Sequence, residues 1–442
     1  MSDHLRWLAM QLEEWVAHGL LSHEQAQAIR RRYPEPKAAT PWGMIIFTGM
    51  GAVVVGLGVI LLFAYNWADM PKAAKLAVVF GALAAAHTAG IVLFRGGDWR
   101  RAMGDTLCLL GTMLFGAGIW LIAQIYHIDE HYPNAFLIWC LGALAMAWVM
   151  PSAMQGMLAA VLAAIWVCCE ASDFQHAFTW APPLIMLALG ALAWRLRSRV
   201  LLFFTLGSLM VAAAAITNTM DCYVLLFLLT TAAGCIALGA LATEYDVFAE
   251  SAPVWAFVGW GVFLVCTYIL SFADIYRNDF DMFHRTTYIG TLACNLYTWI
   301  PFALTLGLWG MLAWIRATRV RPRAPDEHAL ELVLVPVAVI ACQYVMLRRT
   351  GMLPAMSAGV FNLVLLALAL AWMARGCRYA LLHRTIMGSI ILAALVAGRY
   401  FDLFESLAAR GLAFVLVGGI LFAEGIVFMR ARRRMRTTEV AS

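Results

Sequence analysis

The 442-residue chain is 63% hydrophobic and only 13% charged, with a mean hydropathy of +0.80 and a formal net charge of +5. These values lie far outside the range of soluble globular proteins. The basic residues form no patch in a folded segment outside the apolar stretches, which excludes nucleic acid as a partner. No P-loop and no dinucleotide-binding glycine motif is present, and the ten cysteines have no C-x-x-C spacing. We therefore predict no cofactor.

Residues 1–38 are the only sizeable polar segment, and their pattern predicts a cytoplasmic amphipathic helical hairpin. The apolar stripe of the first helix consists of Leu5, Leu8, Leu12 and Trp15. Gly19 ends this helix, and Ser22 with Gln25 forms a capping box that begins the second. Such a small hairpin cannot bury a core alone, so it needs a partner. We expect it to dock on its own membrane domain, a second copy or another inner-membrane protein.

The apolar stretches of residues 39–430 predict an all-α polytopic bundle of about 14 transmembrane helices. A basic cytoplasmic tail follows at 431–442. Each helix needs about 20 mostly apolar residues to cross the bilayer. The predicted spans are 43–65, 73–94, 104–124, 135–150, 153–170, 178–194, 200–217, 223–242, 252–271, 294–315, 329–347, 353–374, 382–399 and 409–429. Pro151 separates two short spans, which predicts a tight helical hairpin; the alternative is a re-entrant element.

The arginines occur mainly in every second loop between these spans, which predicts the orientation of the chain. The basic clusters are 95–101, 195–199, 316–323, 375–384 and 430–436. Because cytoplasmic loops of membrane proteins carry an excess of Lys and Arg, we predict that these loops and both termini are cytoplasmic. Membrane lipids are then the expected partners of the bundle.

Four stretches of the chain resemble a known family when they are taken together. They are Trp15-x-x-x-Gly19-Leu20-Leu21-Ser22, the Gly-rich first span ending in Asn66-Trp67, Gln124-x-Tyr126, and Arg399-Tyr400-Phe401-Asp402. This combination resembles a bacterial polytopic inner-membrane family known as domain of unknown function 2157. The likeness is strongest over residues 1–150 and returns near 399–430. The resemblance implies a multi-pass protein of the bacterial inner membrane and supplies no catalytic residues.

Three of these stretches fall on the predicted periplasmic side and supply the candidate substrate-binding residues. They are Asn66, Trp67, Gln124, Tyr126, Arg399, Tyr400 and Asp402. The Arg399 guanidinium suits recognition of a phosphate or carboxylate. The alternatives are a local ion pair between Arg399 and Asp402 and, for the aromatic residues, an interfacial belt.

A second candidate site is the H-x-x-E-H sequence formed by His127, Glu130 and His131. On a helix, the two histidines would share a face and bind one zinc ion, with Glu130 as base. The further ligand would come from Glu170, Asp173, His176 or Glu405. Because Pro133 follows at once, the sequence favours a solvated turn with titratable histidines instead.

These observations favour a transporter or flippase-like protein for an amphiphilic or lipid-linked anion, working through a periplasm-facing cavity. One alternative is a non-catalytic subunit or scaffold of a membrane complex. The other is a periplasm-facing metal-dependent hydrolase or transferase, although the sequence as a whole favours a protein that is not an enzyme. A deep polar cavity would distinguish the first function from the second, and two histidines on one metal would indicate the third.

Overall fold

The computed structural model describes residues 11–32 without 13 and 17, 70–127, 131–220, 223–245, 248–277, 292–318, 329–347 and 354–399, together with 415, 418, 419 and 423. The described residues form helices and turns without any strand, which confirms the all-α prediction. The chain divides into two compact units, Met1–Val78 and Val79–Ser442.

The first unit contains the turn that the sequence predicts for the N-terminal hairpin. Gly19 has a φ of +70°, a backbone conformation that glycine adopts without strain. The Gln25 amide donates to the Ser22 hydroxyl oxygen at 3.2 Å, and the Ser22 amide donates to the Gln25 side-chain oxygen at 3.0 Å. This reciprocal pair is the predicted capping box, and it begins helix α1, His23–Arg32. The partner of the hairpin stays a prediction.

Thirteen further helices lie between residues 72 and 399 of the described chain. They are α2 Lys72–Phe94, α3 Asp98–Tyr126, α4 Pro133–Val149, α5 Ala153–Asp173, α6 Ala181–Leu196, α7 Arg199–Thr219, α8 Val224–Tyr245, α9 Ala252–Leu270, α10 Asp274–Arg277, α11 Leu292–Thr318, α12 Ala329–Leu347, α13 Pro354–Arg378 and α14 Leu382–Arg399. All except the short α10 coincide with predicted spans. Eight are long and apolar enough to cross a membrane, and four are shorter apolar helices. The predicted total of 14 spans stays a prediction, because 43–65 and nearly all of 409–429 lie outside the described residues.

The segment 133–173 forms the helical hairpin that Pro151 predicts. The Ser152 hydroxyl caps α5 by accepting from the Gln155 amide at 3.2 Å. The two helices are antiparallel neighbours, and the Cys140 thiol donates to the Ala159 carbonyl at 3.3 Å. The two helices form a hairpin, and whether each crosses the membrane or the pair is a re-entrant element stays a prediction.

Helix α8 lies at the centre of the second unit. Its buried side chains, including Leu229 and Ala233, pack with Phe263 of α9 and Phe361 of α13. Two side chains of α11 also donate to the α8 backbone: the Trp309 indole to the Ala233 carbonyl at 3.0 Å, and the Thr305 hydroxyl to the Thr230 carbonyl at 3.1 Å. Polar side chains inside a membrane bundle need such internal partners, because lipid supplies none.

Glycines allow several helices to approach closely. A Cβ on Gly111 would lie 2.4 Å from the His87 ring, and one on Gly116 would lie 2.1 Å from the Trp139 ring. At the contact between α8 and α9, a Cβ on Gly259 would lie 2.9 Å from the Ala232 carbonyl oxygen. Contacts this close leave no room for a side chain.

Charge separates the two ends of the second unit. The arginine-rich end carries Arg95, Arg100, Arg101, Arg195, Arg197, Arg199, Arg316, Arg375, Arg378 and Arg384. Two contacts at this end join neighbouring helix ends: Arg195 lies over the Trp148 ring, and Arg199 lies 3.4 Å from Glu250. The opposite, histidine end carries His127, His131 and His176, with Arg277 and Arg399 as its arginines among the described residues. This asymmetry is the pattern that the positive-inside rule requires.

We predict that Gly259→Ala destabilises the bundle, because the added methyl group meets the α8 backbone and Ile236 within 3 Å. Overpacking of this kind costs about 1–3 kcal/mol. The matched control is Gly261→Ala on the same helix, where nothing lies within 4 Å of the new Cβ. Thermal unfolding of the purified protein in detergent should show a lower midpoint for the first variant alone. Equal midpoints would contradict the close approach of α8 and α9.

Candidate functional site

Glu331 is a buried carboxylate at the arginine-rich end, in the first turn of α12, with 6% of its surface exposed. Its Oε1 atom accepts from the Trp372 indole at 2.7 Å, from Arg384 at 3.1 Å and from Arg375 at 3.3 Å. A buried carboxylate is costly unless charged or polar donors surround it. The donors of Glu331 come from α13 and α14, so this one side chain joins three helices.

The turn between α13 and α14 brings the two arginines to the same carboxylate. Ala380 lies in this turn with a φ of +50°, and the chain reverses direction there. The two helices then pack closely, because Gly376 has no side chain to separate it from Thr385. Arg375 lies in the last turn of α13, where a cation also interacts favourably with the helix dipole.

A cavity of about 660 Å³ opens beside this cluster. Most of its wall is apolar and is formed by α8, α9 and α11, including Pro253, Phe257, Trp260 and Leu312. Its polar side chains are Thr243, Arg316, Glu331, His383 and Arg384. Ligand sites are typically pockets of about 300–1,000 Å³ with apolar walls and a few convergent polar groups. The cavity has both properties.

The charged side chains of the cavity wall carry a net positive charge. The wall contains two arginines, Arg316 and Arg384, and one carboxylate, that of Glu331. Arg384 lies 3.1 Å from Glu331, and Arg316 lies 3.9 Å from Glu244, which does not line the cavity. Among the described residues, Arg384 uses one terminal nitrogen for Glu331. A guanidinium group has five N–H donors in a planar fork, so donors of Arg384 are available to a ligand. The arrangement is suited to an anion.

A smaller cavity of about 320 Å³ also lies at the arginine-rich end, beside the π-helical turn Met186–Gly190 of α6. Its lining includes Trp194, Tyr245 and Trp255 and contains no charged side chain. It therefore lacks the groups that would select a charged ligand.

Among the substrate-binding residues predicted from the sequence, the described ones do not line this cavity. Gln124 and Tyr126 are exposed in the last turn of α3, at the histidine end. Arg399 is the last residue of α14, and its side chain is outside the described part of the structure. Four more lie outside the described residues: Asn66, Trp67, Tyr400 and Asp402. A cavity lined by these seven residues stays a prediction.

Sequence reasoning missed the cluster around Glu331, although a signal was present. The arginines at 316, 375 and 384 were interpreted only as markers of orientation. Glu331 is an acidic residue in the first turn of an apolar span, between two basic loops. An acid in that position needs a cationic partner, and Arg375 and Arg384 of the two following helices supply it.

The H-x-x-E-H segment does not form one helical face among the described residues. Helix α3 ends at Tyr126, and His127 follows with a left-handed φ of +53°. Glu130, the predicted base, lies outside the described residues, so the predicted combination of two histidine ligands and a base stays a prediction. His131 instead contacts Glu170 at 2.7 Å, and Glu170 also contacts His176. Both were among the further ligands that the sequence named.

Residues 13–156 match the model of a family described as "Predicted membrane protein (DUF2157)". The match covers 144 of the 442 residues. The match confirms the resemblance predicted from the sequence and a membrane location, and its description names no activity. The matched segment ends in the first turn of α5, so the cavity beside Glu331 lies outside it. No curated protein and no solved structure matches this chain.

We predict that Glu331→Ala destabilises the protein strongly, since it leaves the partly buried guanidinium groups of Arg375 and Arg384 without their shared acceptor. Removal of one partner from a buried charge cluster costs about 3–5 kcal/mol. The control is Glu250→Ala, which removes an exposed partner of Arg199 and should cost no more than about 1 kcal/mol. The free energy of unfolding in detergent measures both changes. A cost for Glu331→Ala as small as that of the control would contradict a structural role for the cluster.

Proposed function

We propose that this protein is a multi-pass protein of the bacterial inner membrane that binds an anionic amphiphile in the cavity beside Glu331. Binding there would be the loading step of a transporter or flippase-like protein. The observation that carries the proposal is the combination of long apolar walls with two arginines in one cavity between helices. An amphiphilic anion has the matching combination of an apolar chain and a charged headgroup.

Arg316 and Arg384 would bind the headgroup. Both are only partly exposed, at 25% and 24% of their side-chain surface, so their charges are poorly screened by water. Glu331 holds Arg384 in place on one side and leaves other donors for the ligand. Basic pockets between transmembrane helices on the cytoplasmic side bind phosphate-containing lipid headgroups in this way.

The apolar wall would hold the hydrocarbon chain. Phe257 is 71% exposed and lies on the same wall as Trp260 and Pro253, so the cavity has an apolar lateral border. An acyl chain on this wall exchanges contacts with other lipid chains for contacts with apolar side chains, so it stays out of water while the headgroup binds. The headgroup contacts then select among lipids that share the same chains.

The positive-inside rule assigns the arginine-rich end, and with it this cavity, to the cytoplasmic side. The proposed ligand would therefore load from the cytoplasmic leaflet, which is rich in anionic lipids. The polar residues predicted at the periplasmic side, including Arg399, would belong to a release site.

We predict that the arginine-rich end is cytoplasmic, and limited proteolysis of two full-length variants tests this orientation. A protease site inserted after Ala380 lies in the turn at the arginine-rich end, and it should be cut in inverted membrane vesicles but not in spheroplasts. A site inserted after Gln175 at the histidine end should show the opposite behaviour. Cleavage of the Ala380 variant in intact spheroplasts would contradict the orientation.

For the ligand, we predict that Arg384→Gln weakens binding of phosphatidylglycerol to the purified protein about tenfold or more, corresponding to about 1.4 kcal/mol. The control is Arg378→Gln, which removes an exposed arginine over the Tyr379 ring that does not line the cavity. Binding of a fluorescent phosphatidylglycerol, competed with unlabelled anionic and zwitterionic lipids, measures the affinity.

Equal losses in the two variants would contradict binding in this cavity, and so would equal competition by phosphatidylcholine. Transfer is tested separately, in proteoliposomes with labelled phosphatidylglycerol on one leaflet. Intact binding without transfer between leaflets would contradict the transport step alone and leave a lipid-binding membrane subunit.

A further inference from the structure

We propose that His131, Glu170 and His176 form a zinc-binding site at the histidine end of the bundle. This site is independent of the proposed lipid cavity, which lies at the opposite end. It also differs from the H-x-x-E-H set that the sequence suggests, since it uses one residue of that segment together with two residues at and beyond the end of α5.

The three side chains converge from separate segments of the chain. His131 precedes α4, Glu170 lies in the last turn of α5, and His176 follows that helix. The His131 Nε2 atom lies 2.7 Å from Glu170 Oε1, and the His176 Nδ1 atom lies 3.1 Å from Glu170 Oε2. One ligand atom from each residue lies within 4.8 Å of the other two.

Two imidazole nitrogens and one carboxylate oxygen are a donor set that zinc prefers. In a tetrahedral site with zinc–ligand distances of about 2.0–2.2 Å, the ligand atoms are roughly 3.4 Å apart. Both histidines lie outside helices, so rotation of their rings can close the remaining distance without disturbing α4 or α5. The two short contacts to Glu170 already hold each ring toward the same point.

Burial also favours a cation at this position. Glu170 is only 2% exposed, and a carboxylate so deeply buried needs a positive partner. His176 is 56% exposed on the outer side of the cluster, so an ion can enter from solvent. With three protein ligands, zinc would keep a fourth position for water.

Neighbouring side chains hold the ligands in place. The Trp166 indole donates to Glu170 Oε1 at 3.3 Å. The Phe174 ring lies against His131, with 4.0 Å between the ring centroids. The Tyr132 hydroxyl donates to Asp173, which raises the pKa of Tyr132 and directs the Asp173 carboxylate toward the phenol. Such surrounding contacts orient the ligands of zinc sites.

The test is zinc binding to the purified full-length protein after removal of metal with a chelator. Calorimetric titration with ZnCl₂ should show one site per chain in the unaltered protein. His131→Ala and His176→Ala should each lose about 100-fold or more in affinity, since even the loss of a supporting contact costs about 10–100-fold. The matched control is His127→Ala, which removes an exposed histidine four residues from His131 and should bind zinc unchanged.

Thermal unfolding with and without zinc supplies a second measurement. A bound ion stabilises the folded state, so zinc should raise the unfolding midpoint of the unaltered protein and of His127→Ala. It should not raise that of His176→Ala, a replacement at an exposed position that should leave the fold intact. Unchanged zinc affinity in His176→Ala would overturn the proposal. Absence of stoichiometric binding, or an equal loss in His127→Ala, would overturn it as well.

Discussion

The pairing of Glu331 with two arginines and a tryptophan holds the arginine-rich end of this bundle together. Hydrocarbon surroundings supply no hydrogen bonds, so a buried carboxylate must find its partners within the protein. Here those partners come from α13 and α14, and their position against α12 leaves the cavity open beside Arg384. The same interaction therefore stabilises the fold and orients the cation that we assign to the ligand.

The histidine end also contains a buried carboxylate with partners inside the protein, but those partners are of a different kind. Glu170 is as deeply buried as Glu331, but imidazoles surround it instead of guanidinium groups. Guanidinium groups stay charged and attract anions, whereas neutral imidazoles donate an electron pair to a metal ion. Two buried carboxylates with different neighbours thus give the two ends of one bundle opposite preferences, for an anionic headgroup at one end and a cation at the other.

The zinc site bears on the alternative functions that the sequence left open. Three ligands with an open fourth position are typical of hydrolytic zinc sites, but zinc binding would supply only the metal. Hydrolysis would require a bound substrate and a base near that water, and Glu130, the base named from the sequence, lies outside the described residues. A zinc ion would also tie the segment before α4 to the end of α5. The scaffold alternative stays a prediction, as does the partner of residues 1–38.

Composition and periodicity were sufficient for the fold class, the positions of twelve apolar helices and the capping box at Ser22, because each depends on residues close together in the sequence. The concentration of arginines at one end could also be predicted from the order of the loops. The sequence named His131, Glu170 and His176 among several candidate ligands without selecting these three, and the cluster around Glu331 was not predicted at all. Glu331 meets Arg384 across 53 positions, and His131 meets Glu170 across 39. Such pairs form only when helices pack in a particular order, and that order depends on shape and close contact throughout the bundle.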